Sequence, residues 1–296
     1  MNSRPILLLG SNGQIGFELR RSLSPLGDIV AFDYADLDLA DEPALRRRVR
    51  DISPSLVVNA AAYTNVDKAE SDEAAATIVN GNAPGWLAEE ALLAKIPLVH
   101  YSTDYVFDGT AKRPYTEDDE PAPVNAYGRS KLAGEKNIVR SGAAFLLLRT
   151  SWIYARRGRN FLLTILRLAE QPEELRVVAD QIGCPTSARM VADATARILS
   201  RCWRAGSSDP LSGQGGLYHL AAGGETSWHG FAEAIIAETS PGQPRKTVHA
   251  IPTSEFPRPA KRPAYSVLDS SKAARVFGVT LPDWRVQLRL CLDEQL

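Results

Sequence analysis

Ile6-Leu7-Leu8-Leu9-Gly10-Ser11-Asn12-Gly13-Gln14-Ile15-Gly16 is the stretch on which the fold turns. Four apolar residues of strand length run into a turn, and the turn opens a helical pattern over Gln14–Leu23. The spacing is GxxGxxG. Gly10 permits the tight turn, Gly13 lets backbone approach a pyrophosphate, and Gly16 allows the helix to pack close to the strand. The helix N-terminus, with Gln14 and Ile15, offers free N–H groups and a positive dipole end to phosphate. No Gly-Lys-Ser/Thr follows, which disfavours a nucleoside triphosphate site. Three turn glycines at a strand–helix junction are the plain alternative. Asp33 tips the balance towards a dinucleotide. It ends the next predicted strand, 23 residues after Gly10, where an acidic side chain reaches the adenosine ribose hydroxyls. Asp33 favours NADH. Tyr34 and Ala35 follow it and bring no Arg for a 2′-phosphate, yet NADPH stays open because backbone or distant groups can bind that phosphate.

Outward from this unit, apolar runs and helical patterns alternate. Ile6–Leu9, Asp28–Phe32, Leu56–Ala60, Pro97–Tyr101 and Ala144–Leu148 read as strands, with helices at Glu42–Asp51, Glu73–Ala94 and Ala126–Arg140. Continuous apolar strands suit a parallel sheet covered on both faces. The expectation is an α/β fold, a doubly wound parallel sheet of Rossmann-like type with a smaller C-terminal lobe. Residues 1–150 would be mainly dinucleotide-binding. Residues 151–296 would be mainly a substrate-binding lobe, with segments returning to the first domain. Helices are expected at Ser187–Trp203, Trp228–Thr239 and Trp284–Leu292, a surface loop at Arg204–Gly216, and mostly irregular chain over Pro241–Pro263.

Composition narrows the function class. Among 296 residues, 34 Lys+Arg against 35 Asp+Glu give a net charge of -1, with no footprint for nucleic acid or an anionic membrane. No apolar run approaches the roughly 18–20 residues of a membrane helix. The 3 cysteines (Cys184, Cys202, Cys291) lie far apart with no CxxC pair, and the histidines are scattered. Neither a disulfide framework nor a metal site is expected, and the compartment expected is the cytoplasm.

Tyr127-Gly128-Arg129-Ser130-Lys131 is a Tyr-x-x-x-Lys on a predicted helix, so phenol and ammonium share one face. A neighbouring ammonium should lower the phenol pKa from near 10. Upstream, a predicted strand ends in Ser102-Thr103-Asp104-Tyr105, which places a hydroxyl at the crevice where doubly wound folds bind ligands. The chemistry this suggests is carbonyl reduction. Tyr127 donates the proton, Thr103 or Ser102 polarises the carbonyl, and Lys131 orients the nicotinamide ribose. Chance pairs on a helix surface, and a strand-end cap at Thr103, are the structural alternatives.

The glycine fingerprint, Val58-Asn59-Ala60-Ala61-Ala62-Tyr63-Thr64, the stretch 102–107 and Tyr127…Lys131 together resemble an extended short-chain dehydrogenase/reductase. Val66-Asp67-Lys68-Ala69-Glu70, Leu148-Arg149-Thr150-Ser151-Trp152, Asp180-Gln181-Ile182-Gly183-Cys184-Pro185-Thr186 and Tyr218-His219-Leu220-Ala221 are similar, more narrowly, to the dTDP-4-dehydrorhamnose reductase family. The likeness runs from about residue 5 to 293. It implies reduction of a C4 ketone on a nucleotide sugar with NADPH or NADH, and no nucleic-acid or membrane partner. It implies Thr103, Tyr127 and Lys131 as the catalytic set. Gly13, Gln14, Ile15, Asp33, Asp38, Leu39, Ala62, Tyr63, Thr64 and Lys131 match cofactor positions, and Thr103, Asp104 and Trp152 match substrate positions. Asn80 matches a residue that supports the site. Arg262, with Arg258 and Lys261, could meet the nucleotide's diphosphate, and a solvated basic loop is the alternative there.

Some relatives join subunits through a magnesium ion held by glutamates. Glu18 and Glu294 could correspond, but Arg189 stands where a third glutamate would be, so no metal is expected. A homodimer remains compatible with the resemblance. Two further functions stay open. A nucleotide-sugar 4-epimerase also uses a Tyr–Lys pair, and a regulatory subunit like that of methionine adenosyltransferase is similar to this reductase family. A 4,6-dehydratase is disfavoured because Tyr105 follows Asp104 where that class carries Glu.

Overall fold

A computed structural model describes residues 4–171, 174–239 and 246–293. Five strands, β1 (Ile6–Leu9), β2 (Ile29–Phe32), β3 (Leu56–Asn59), β4 (Leu98–Thr103) and β5 (Phe145–Thr150), form one parallel sheet with a sixth strand, Gly216–His219. Their order across the sheet is sixth strand, β5, β4, β3, β1, β2. The chain steps from β1 outward to β2, then back past β1 to β3. This reversal leaves a crevice at the carboxyl ends of β1 and β3, the switch point where doubly wound sheets bind ligands.

Strand alternation explains why β1 is apolar throughout. Ile6 and Leu8 pack with Leu19, Val58, Val191 and Ile198, in the layer formed by α1 (Gln14–Ser22) and the helix Ala188–Cys202. Leu7 and Leu9 pack with Leu45, Val49, Leu87 and Ile138 on the opposite face. That layer comprises α2 (Glu42–Ile52) and the helices Ala83–Ala94 and Ala126–Ser141. Each fully buried leucine contributes about 1.5–3 kcal/mol, so β1 anchors both layers.

A second core gathers the helices Phe161–Ala169, Trp228–Thr239 and Trp284–Asp293, and takes Phe107, Tyr115 and Leu132 from the first half. Part of the segment expected to be irregular forms the strand Val248–Ile251, parallel to Leu175–Val178. The pairing partner lies about seventy residues away, so no local pattern announces it. The helix expected over Glu73–Ala94 is divided. Glu73–Thr77 is α-helical, Ile78–Asn82 forms a π turn, and the α-helix resumes at Ala83–Ala94. No helix among the described residues is long and apolar enough to cross a membrane.

Candidate active site

The crevice opens into a cleft of about 600 Å³. Its floor is the glycine turn. Gly10 has a left-handed φ of 75°, and a Cβ there would stand 2.5 Å from the Ala61 nitrogen. A Cβ on Gly16 would lie 2.0 Å from the Gly10 carbonyl oxygen. Only glycine permits this approach of α1 to the β1 turn. Gly10, Gly13, Gln14 and Ile15 line the cleft, whereas Gly16 sits beneath the turn. Asp33, Asp38 and Leu39 form one wall with Tyr34, and Ala62 and Thr64 follow β3 along another. The Tyr63 side chain turns away, its hydroxyl donating to Asp72 at 3.2 Å.

Asn80 fixes the backbone at that turn. Its Oδ1 accepts from the Tyr63 N–H at 2.8 Å, and its Nδ2 donates to the Tyr63 carbonyl and to Ser130 Oγ, both at 3.0 Å. The π turn carries this amide into a buried position between the loop after β3 and the helix of Tyr127 and Lys131. Such single-turn insertions recur at functional sites.

Thr103, Tyr127 and Lys131 meet on the same cleft. Asn125 caps their helix, accepting from the Gly128 N–H at 2.8 Å, and its amide donates to the Lys261 carbonyl at 2.8 Å. Burial pushes the Tyr127 phenol up to about 12, opposed by a hydrogen bond with Thr103. This corrects the expected lowering by Lys131. The ammonium lies against the Tyr101 carbonyl at 2.6 Å and His100 Nε2 at 3.2 Å, and burial brings Lys131 down to about 8. A phenol held protonated is a stocked proton donor. His100 Nδ1 in turn faces Asn59 Nδ2 at 3.2 Å, while Asn59 Oδ1 accepts from the Ala61 N–H at 3.1 Å. A buried chain of contacts thus links Lys131 to the end of β3. Neither His100 nor Asn59 carries a spacing signal in the sequence.

Asp104 is buried, and its carboxylate gathers three hydroxyls. Thr103 donates to Oδ1 at 3.0 Å, and Ser151 and Ser266 donate to Oδ2 at 3.0 and 2.6 Å. Burial raises its pKa to about 6 against these three bonds. Thr103 also accepts from the Tyr105 N–H at 3.1 Å, so its hydroxyl is aligned from both sides. Ser102 Oγ is buried at the cleft with no hydrogen-bond partner, a polar atom that a ligand would satisfy.

Trp152 lines the cleft with a left-handed φ of 46°. Its ring lies 3.5 Å from that of Trp228 at an interplanar angle of 2°, with Gly183 against the ring. Trp228 reaches it from a helix far downstream in the chain, which sequence spacing cannot foretell. Trp228 and Tyr105 also border an adjoining groove of about 1010 Å³. Arg258, Lys261 and Arg262 lie there. Arg262 pairs with Asp67 at 2.9 Å, and its guanidinium is 5.9 Å from the centre of the Tyr105 ring.

Glu18 lies 3.9 Å from the Arg189 guanidinium, and Glu294 falls outside the described residues. Among the described residues no group of three or more His, Cys, Asp or Glu side chains is placed to hold a metal.

Comparison with known proteins gives the family. Residues 4–296 match the family model described as RmlD substrate binding domain. A dTDP-4-dehydrorhamnose reductase of Burkholderia thailandensis is 49% identical, with 98% of this chain and 99% of that protein covered. One from Escherichia coli is 42% identical over 98% of this chain and 97% of its own length. A crystal structure of the Bacillus anthracis dTDP-4-dehydrorhamnose reductase in complex with NADP superimposes with a TM-score of 0.89 at 33% identity. It covers 99% of this chain and 100% of that one. The chain therefore belongs to the RmlD substrate binding domain family, that of the dTDP-4-dehydrorhamnose reductases.

Proposed function

We propose that this chain reduces the C4 ketone of dTDP-4-dehydro-L-rhamnose to dTDP-L-rhamnose. The single observation that carries the reading is the convergence of Thr103, Tyr127 and Lys131 on the cleft whose floor is the Gly10–Gly16 turn. A nicotinamide dinucleotide fits that cleft because its floor is glycine backbone and helix N-terminus, and Ser102 Oγ is left unpartnered there. When bound, NADPH or NADH supplies the hydride.

Tyr127 donates its proton to the ketone oxygen as negative charge develops there. Lys131, anchored on the Tyr101 carbonyl and His100, places its amine for the ribose and holds positive charge near the phenolate left behind. Thr103 is held in place by Asp104 and the Tyr105 N–H, and its hydroxyl proton turns from Asp104 to the substrate carbonyl when the ketone binds. Trp152, stacked on Trp228, turns the apolar rim of its ring to the sugar. Arg258, Lys261 and Arg262 line the neighbouring groove as a cationic border for the substrate's diphosphate. In this division of labour, residues 1–150 mainly hold the dinucleotide and residues 151–296 mainly hold the nucleotide sugar.

The test is direct. Purified protein is mixed with NADPH or NADH and the 4-keto-6-deoxy sugar nucleotide made in situ by its epimerase. Stoichiometric loss of nicotinamide absorbance with formation of the 4-hydroxy product is the expected outcome. Product without cofactor loss would mean epimerisation. No turnover, with cofactor bound, would mean a regulatory subunit.

A further inference from the structure

The cofactor reading leaves a charge unanswered. A dinucleotide carries a pyrophosphate, and the glycine turn meets it with backbone N–H groups alone. The cleft wall holds Asp33, Asp38 and Asp104, and its only cations among the described residues are Lys131 and Arg159. Lys131 is buried at the catalytic end and tied to the Tyr101 carbonyl and His100. Arg159 is exposed, and no carboxylate among the described residues pairs with it.

Its loop is docked against the fingerprint helix. Asn160 Nδ2 donates to Gln14 Oε1 at 2.8 Å, and to the carbonyls of Ala155 and Arg157 at 2.8 and 3.0 Å. Asn160 Oδ1 accepts from the Leu163 N–H at 3.0 Å, which caps the next helix. Gly158 turns with a left-handed φ of 73°, and a Cβ on it would sit 3.6 Å from Gln14 Cγ. The Arg157 guanidinium lies 3.5 Å above the ring of Phe17 on α1. Two contacts, Asn160 to Gln14 and Arg157 over Phe17, therefore hold the loop at the N-terminus of α1, where phosphate is favoured.

We infer that Arg159 binds the pyrophosphate bridge of the dinucleotide from the side facing the glycine turn, completing the cofactor site from the second half of the chain. The inference rests on the cofactor reading above. Because NADH and NADPH share the pyrophosphate, Arg159 serves both alike.

The test is a fluorescence titration of the full chain and of Arg159→Gln with NADH and with NADPH. Both dissociation constants should rise by the same factor, about tenfold for one charge-assisted contact. Arg159→Lys should recover part of the loss, and the cofactor-free melting temperature should not move, because the side chain has no partner among the described residues. Weakening confined to NADPH would assign the arginine to the 2′-phosphate and overturn the inference. An unchanged cofactor affinity would overturn it too, and a raised KM for the sugar nucleotide alone would place Arg159 on the substrate's diphosphate. Failure of the unaltered chain to bind either cofactor would instead sink the reading beneath it.

Discussion

Tyr127 and Lys131 are placed by helix periodicity, and burial then sets their protonation. With the phenol up at about 12 and the lysine down at about 8, the phenol keeps its proton across the neutral range. Tyr127→Phe should lower kcat by about 10²–10⁴-fold and leave the NADPH dissociation constant within about twofold, because only the proton donor is removed. Steady-state kinetics beside a binding titration checks both. Near-normal turnover would take Tyr127 out of the chemistry. The pH dependence follows from the same pair. The profile of kcat/KM should break near 8, where Lys131 changes charge, and should show no loss from the phenol below about pH 10. Lys131→Arg, charged throughout, should erase the break, and its survival would assign it to another group.

The residues legible in the sequence are those whose signal lies within one element or one turn. The glycines, Asp33, Thr103, Tyr127 and Lys131 are of that kind. His100, Ser266 and Trp228 gain their places only through distant pairings. Ser266, for example, meets Asp104 across 162 positions, and no spacing rule spans that separation.

At the scale of elements, the π turn Ile78–Asn82 shows what periodicity conceals. The run Glu73–Ala94 reads as one helix because its apolar pattern is nearly continuous. One extra residue per turn rotates the second half and brings the Asn80 amide inward. Asn80→Ala would leave the Tyr63 N–H and carbonyl without partners and take one donor from Ser130 Oγ, which keeps its own bond to the Tyr127 carbonyl. A loss of about 1–3 kcal/mol is expected per stranded buried group, and partial relaxation keeps the total near the lower end. Urea unfolding measures it. A raised KM for cofactor should accompany it, because Tyr63 sits on the loop that lines the cleft through Ala62 and Thr64. A variant as stable as the unaltered chain would deny Asn80 this role. The sixth strand, Gly216–His219, escaped reading for a related reason. It is short, follows a Gly- and Ser-rich loop, and is recognisable only once β5 stands beside it.

Across the whole molecule, Asp104 is a knot. It joins the end of β4 to Ser151 after β5 and to Ser266 near the C-terminal helices. Its pKa is raised from 3.8 to about 6, so the folded chain favours the protonated form. The stability tied to that proton is complete below about pH 4 and is lost as pH rises through about 6. Asp104→Asn is neutral at every pH. Its unfolding free energy should therefore gain on that of the unaltered chain between about pH 4.5 and 7.5, read from urea melts at both ends. A difference that does not change with pH would refute the raised pKa. Turnover should fall in the same variant, because Thr103 loses its charged acceptor.

The sheet itself carries a consequence for synthesis. β5 has β4 on one side and takes its other neighbour from Gly216–His219. As the polypeptide leaves the ribosome, the outer rim of β5 therefore waits, backbone amides bare, until the whole intervening stretch has been translated. That interval, more than any weakness of the finished protein, is when one nascent copy could zip onto another.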